Sequence, residues 1–333
     1  MKSGVEFISA LVVRGDRLYI AGSPDAFEPY SPFTRLFAYC GDREQQPWTK
    51  HDVEWWTVAL EMSRREDGAR IHCAMSQEGQ VELIAQGTVV VEKIADAGVW
   101  SSGNKGYGYL SDLRHIGDHL YACGGGGQVY QRRGSDDWVH RDAGLLQDRK
   151  ALADGTIGRI LLRTIDGPAE DDIYVAGSLP GETGYEGVLF HWRDTAWRRI
   201  DLPRLKQLNA IHVESADRLW LCGMGGALLV GNHRDGFEDW SDFAQGQLFH
   251  DLAMYEDTLY LASDKGLCAY DGKRRRIVRV KTGLTPEPTY LATVDHADGV
   301  LWCVGRKDIV RFDGKVWTRI YHPDNPRKRR IGE

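Results

Sequence analysis

Two aspartates hold equivalent places in distant parts of this 333-residue chain. Asp112 and Asp251 each stand eight residues ahead of the Leu of a recurring phrase, and Thr293 and Ala10 hold that place in two further copies. Carboxylates that meet across one pocket can bind a cation or divide the work of acid and base. Asn209 and His250 fall beside them, so the five residues Asp112, Asn209, His250, Asp251 and Thr293 form a candidate axial pocket. Hydrogen bonding to neighbouring backbone and to water is the commoner use of such groups, and the reading assigns them no catalytic role.

Other chemistry is missing from the spacing. The eleven histidines include no His-Glu-x-x-His and no Cys/His finger pattern, and Gly-x-Ser-x-Gly does not occur. Gly124 to Gly127 are not followed by Gly-Lys-Ser/Thr, which excludes a phosphate loop. The six cysteines contain no Cys-x-x-Cys pair and read as reduced core fillers. No catalytic residue, metal or cofactor is therefore expected.

What positions the aspartates is a repeat. Seven times an acidic or glycine turn leads into an apolar residue, usually an aromatic one, and then small residues: Asp16 to Gly22, Gly68 to Ala74, Asp118 to Gly124, Asp172 to Gly177, Asp217 to Gly223, Asp257 to Ser263 and Gly299 to Gly305. Anchored on Leu18, Ile71, Leu120, Ile173, Leu219, Leu259 and Leu301, the spacings are 53, 49, 53, 46, 40 and 42 residues. That period predicts an all-β, seven-bladed β-propeller of four-stranded antiparallel blades. In the third repeat the strands are read as Tyr109–Ile116, Leu120–Cys123, Gln128–Arg132 and Trp138–Arg141. In the fifth they are read as Leu208–Val213, Leu219–Cys222, Ala227–Gly231 and Asp239–Ser241. Trp48, Trp138, Trp197, Trp240 and Trp317 share the fourth-strand position, where a large ring fills the widening space between blades. The recurrent Asp reads as a turn residue and the Gly after the second strand as a permit for a sharp bend. Residues 1–323 form one domain, closed by packing the first blade on the last, and 324–333 form a basic tail expected to be disordered.

In a propeller the second-to-third-strand loops and the loops between blades share one face. Here that face is elaborate and aromatic, with Phe27 and Tyr30, Trp55 and Trp56, Trp100 and Tyr107, and Tyr185 on long insertions. Exposed aromatics bury much area for little side-chain entropy, so these seven are expected to anchor a protein partner. The net charge of -6 and the lack of a recognised module disfavour nucleic acid; the run Lys273 to Arg276 reads as a solvated edge and Arg327 to Arg330 as part of the disordered tail. No signal peptide or twenty-residue apolar span is visible, which predicts a cytoplasmic, non-membrane, monomeric protein.

Leu120 to Tyr130 with Trp138, and Leu219 to Leu229 with Trp240, resemble bacterial propellers of the photosystem assembly-factor-like and sialidase-like (BNR-like) kind. The resemblance implies the fold. The Ser/Thr-x-Asp-x-Gly-x-x-Trp box of the sialidase-like repeats is matched only in part by Gly134 to Trp138 and Asp235 to Trp240. The leading reading is a non-catalytic protein-binding propeller, in one version an immunity protein that neutralises a bacterial toxin domain, in another an assembly scaffold. An enzyme (lyase, lactonase or hydrolase) or a small-ligand sensor using the axial pocket is the alternative.

Overall fold

A computed structural model describes residues 4–325, except 65–67, 183, 204–205 and 243–245. The chain forms seven separate four-stranded antiparallel sheets, and in each the strands lie side by side in sequence order. This is the predicted seven-bladed propeller. In the third blade the observed strands are Leu110–Ile116, His119–Gly124, Val129–Gly134 and Asp137–His140, within two residues of the reading at each end. The fifth blade differs at its rim, where the outer strand is Gly236–Asp239 and Trp240 lies just past it. Trp240 still fills an inter-blade space, stacking on Tyr270 of the sixth blade with ring centroids 4.7 Å apart.

The inner strands share a feature with no signature in residue type. Each carries one extra residue relative to its partner: Ile8, Val58, Ser111, Arg163, Asn209, His250 and Ala292. Such a bulge bends the strand and turns its side chains toward the channel. Opposite it on the second strand stands a small residue, Gly22, Ser76, Gly124, Gly177, Gly223, Ser263 or Gly305.

The geometry corrects the reason given for those glycines. Gly22, Gly124, Gly177, Gly223 and Gly305 do not occupy the left-handed region. In the third, fourth and fifth blades the bulged strand comes too close for a side chain: a Cβ on Gly124, Gly177 or Gly223 would collide with the carbonyl oxygen of Tyr109, Leu161 or Gln207, whereas the second and sixth blades admit Ser76 and Ser263 at that place.

Ring closure uses no exchanged strand. Val5–Arg14 is the inner strand of the first blade and Trp317–Arg319 the outer strand of the seventh. Between them the Phe7 N–H donates to the Arg306 carbonyl at 2.8 Å. The Asn325 side chain accepts from the Val5 N–H at 2.9 Å and donates to the Val5 carbonyl at 2.8 Å. Arg306 grips Glu6 through two nitrogens, and Lys307 pairs with Asp25. His322 is buried against Phe37 and Trp48, its ring centroid 4.4 and 4.5 Å from theirs. Asp324 and Asn325, assigned to the tail from sequence, thus belong to the closing seam. Residues 326–333, with the basic run Arg327 to Arg330, lie outside the described residues. No helix among the described residues is long and apolar enough to cross a membrane.

Candidate functional site

The channel and the loop face were both read as sites, and they are built differently. The channel encloses a cavity of about 270 Å³, and Asp112, Asn209, His250, Asp251 and Thr293 all line it. Asp112 accepts from the Leu113 N–H at 2.9 Å with one oxygen and from the Ile165 N–H of the fourth blade at 3.0 Å with the other. Asp251 repeats this three seams later, accepting from Leu252 at 2.9 Å and from Val294 of the seventh blade at 3.0 Å. Asn209 donates to the Phe249 carbonyl of the sixth blade at 2.7 Å. These side chains staple one inner strand to the next.

Two residues further along each inner strand lies a second ring: Leu11, Glu61, Arg114, Asp166, His212, Ala253 and Asp295. Sequence reasoning missed this ring: counted back from the repeat anchors, the register that aligned Asp112 with Asp251 reaches only Arg114, Ala253 and Asp295, and first hairpins of other lengths displace the remaining four, just as they put Ser9 rather than Ala10 level with Asp112. Arg114 is its centre of charge. Burial opposes its cation, but Asp166, Asp112, Glu61 and Asp251 outweigh that and hold the guanidinium above its ordinary pKa. It lies 3.5 Å from Glu61, and because it faces the open channel 39% of its side chain stays accessible despite its depth in the ring. Burial pushes Glu61 and Asp251 up to about 7, and raises Asp112, Asp166 and Asp295 as well. Burial lowers His212 and His250. Glu61 and Asp251, raised that far, are partly neutral near pH 7, which lessens the cost of grouping the carboxylates.

The seven aromatics lie on the loop face, and they divide. Phe27, Tyr30, Trp100 and Tyr185 are exposed, with Trp100 80% and Tyr30 72% open. Phe27 stacks on Phe33 at 4.5 Å, Tyr30 tilts against Trp56 at 5.1 Å, and the Trp100 indole N–H donates to the Tyr109 hydroxyl at 2.8 Å. The Trp100 backbone is also fixed: Glu78 Oε2 accepts from the N–H groups of Val99, Trp100 and Ser101 at 3.0, 3.0 and 2.9 Å. A side chain so exposed on a backbone so constrained is pre-organised for contact. Trp56 and Tyr107 are half-buried. Trp55 departs from the expectation, because its ring packs onto the core between the first two blades and its indole nitrogen is buried. It covers its own blade. The remaining insertion on this face contains the short helix Arg149–Ala153, capped by Asp148, which accepts from the Ala151 N–H at 2.7 Å.

No protein-family profile matches the sequence. The chain is 27% identical over 249 residues to "Immune protein Tsi7" of Pseudomonas aeruginosa, covering 74% of each protein. Among solved structures it is similar to YCF48 from Cyanidioschyzon merolae, with TM-score 0.61 and 9% identity over 98% of both chains. It is also similar to the extracellular domain of the hybrid two-component system BT4673 from B. thetaiotaomicron, with TM-score 0.60 and 12% identity; 91% of this chain spans 37% of that one. The structural likenesses establish the β-propeller fold that the blade-level resemblance implied. The likeness in sequence is to an immunity protein.

Proposed function

We propose that this chain is an immunity protein, and that it binds and neutralises a bacterial toxin domain through the loop-bearing face of the propeller. The observation that carries the reading is the 27% identity to Immune protein Tsi7 across three quarters of both chains. The site supports it in two ways. Trp100, Tyr30, Phe27 and Tyr185 present exposed aromatic surface on one face, the kind of anchor on which protein interfaces depend. The candidate acid and base of the axial cavity have all four carboxylate oxygens accepting backbone N–H bonds, which favours binding over chemistry there.

Inhibition then follows from occupancy: a rigid ring that covers a toxin's active surface blocks it without turnover. All six cysteines are free thiols, which suits action in a reducing compartment such as the cytoplasm. The test is co-expression with toxin-domain genes from the native host, those neighbouring this gene first. Protection of the cell and co-purification of a stoichiometric complex are expected; survival no better than without this chain would overturn the proposal.

A further inference from the structure

A second group of chemistry-bearing side chains lies on the opposite face, in the groove between the fourth and fifth blades. Asp172 opens the second strand of the fourth blade, Tyr174 follows on that strand, and His191 sits directly across from Tyr174 on the third. His233 comes from the turn between the third and fourth strands of the fifth blade. His191 Nε2 lies 2.8 Å from Asp172 Oδ1. His233 Nδ1 lies 3.9 Å from that same oxygen and 2.6 Å from the Tyr174 hydroxyl. One donor atom from each of Asp172, His191 and His233 falls within 4.8 Å of the others, and they are the one such group of three among the described residues.

We infer that these residues form a site for a divalent transition-metal ion, with Asp172, His191 Nε2 and His233 Nδ1 as ligands and the Tyr174 hydroxyl beside them. Imidazole nitrogen with carboxylate oxygen suits zinc, nickel and copper, whereas calcium and magnesium take oxygen alone. Tetrahedral ligands about 2.0–2.1 Å from zinc stand roughly 3.3 Å apart, and the observed separations of 2.8 and 3.9 Å bracket that value.

One movement is needed. The imidazoles stack with centroids 3.9 Å apart and planes 16° from parallel, and two parallel rings cannot both hold one ion in plane. His191 is buried, whereas His233 is partly exposed in a surface turn, so His233 rotates out of the stack and His191 stays. His191 ligates as the neutral tautomer that carries its one ring proton on Nδ1, leaving the Nε2 lone pair for the ion. The preceding seam shows what the site adds: there Glu170 accepts from the Tyr121 hydroxyl and lies 2.6 Å from His119 Nδ1, one carboxylate and one imidazole, while here a second imidazole completes a three-ligand set.

The ion would bridge two blades, so binding has a readout apart from any toxin. Untagged, metal-free protein is titrated with zinc chloride at pH 7.5, with bound zinc counted after dialysis and thermal unfolding followed in parallel. One zinc per chain is expected, with the melting temperature raised by roughly 3 to 5 °C at a hundredfold excess over Kd. His233→Gln should weaken binding at least tenfold while lowering the metal-free melting temperature by no more than about 3 °C, because the amide can still bond the Tyr174 hydroxyl. His191→Gln, read by binding alone, should do the same. Absence of stoichiometric zinc, zinc binding by His233→Gln equal to the parent, or an equal response to magnesium would each overturn the site.

Discussion

The wall of the channel and the rim of the loop face both concentrate residues that look functional, yet they use them in opposite ways. On the wall, Asp112, Asp251 and Asn209 give their hydrogen bonds to the next blade's backbone. At the rim, Trp100 has its backbone held by Glu78 and its ring in solvent. A polar side chain whose hydrogen-bonding capacity is taken up by its own fold supports the scaffold, whereas an apolar one left open on a fixed backbone is available to a partner. Damage to the wall should therefore appear in stability, and damage to the rim in binding.

The largest effect is expected opposite a bulge. Gly177→Ala drives a Cβ into the Leu161 carbonyl and should cost about 3 kcal/mol in urea unfolding. Gly134→Ala, where no atom lies within 4 Å, should change stability by less than about 0.5 kcal/mol. Equal costs would remove the bulge as the reason for glycine.

The closing seam should behave like the wall and respond to acid. Burial lowers the His322 pKa to about 4, and its Nδ1 accepts from the Asp324 N–H at 3.1 Å, which only the neutral ring can do. The unfolded chain takes up this proton at about pH 6.5, so the stability His322 contributes is lost as the pH falls from there toward 4, by on the order of 2–3 kcal/mol. Asp251 and Glu61, raised to about 7, act with opposite sign: the fold binds their protons more readily than the unfolded chain, so they favour the fold as pH falls through 7 toward 4. The informative quantity is the stability difference between the parent and His322→Phe, which should shrink or reverse between pH 7 and 4.5. A pH-independent difference would refute the assignment.

At the rim, Trp100→Ala should weaken the toxin complex about thirtyfold, or 2 kcal/mol, with the melting temperature unchanged. Trp55→Ala should do the reverse, lowering stability and sparing affinity, since that ring is part of the core. The smallest effect is expected from Asp251→Asn. The amide keeps one backbone acceptor and loses the other, a cost of about 1 kcal/mol, with toxin affinity intact. Loss of binding without loss of stability would turn the wall into a site and break the comparison.

The parts of this architecture visible in sequence are those that repeat in residue type. The second strands declare themselves through Leu120-Tyr121-Ala122-Cys123 and its copies, and once they are aligned the axial aspartates fall into one register. The bulges were invisible because Ile8, Val58, Ser111, Arg163, Asn209, His250 and Ala292 share a backbone position and no chemistry. The Asp172, His191 and His233 group was invisible for another reason: three segments on two blades meet only when neighbouring sheets pack, and no local spacing encodes that. Trp55 and Trp56, adjacent in sequence, face different ways because one loop residue points to the core and the next to the rim.

The closing seam carries a mechanical consequence. Every sheet is made from one continuous run of chain, and the first and last meet through Phe7 and Arg306, Glu6 and Arg306, and Asn325 and Val5. The ring is a clasped bracelet: pulled by its two ends, it should part along that single radial line with all seven sheets whole, as a short first extension at low force, before any one of them unravels.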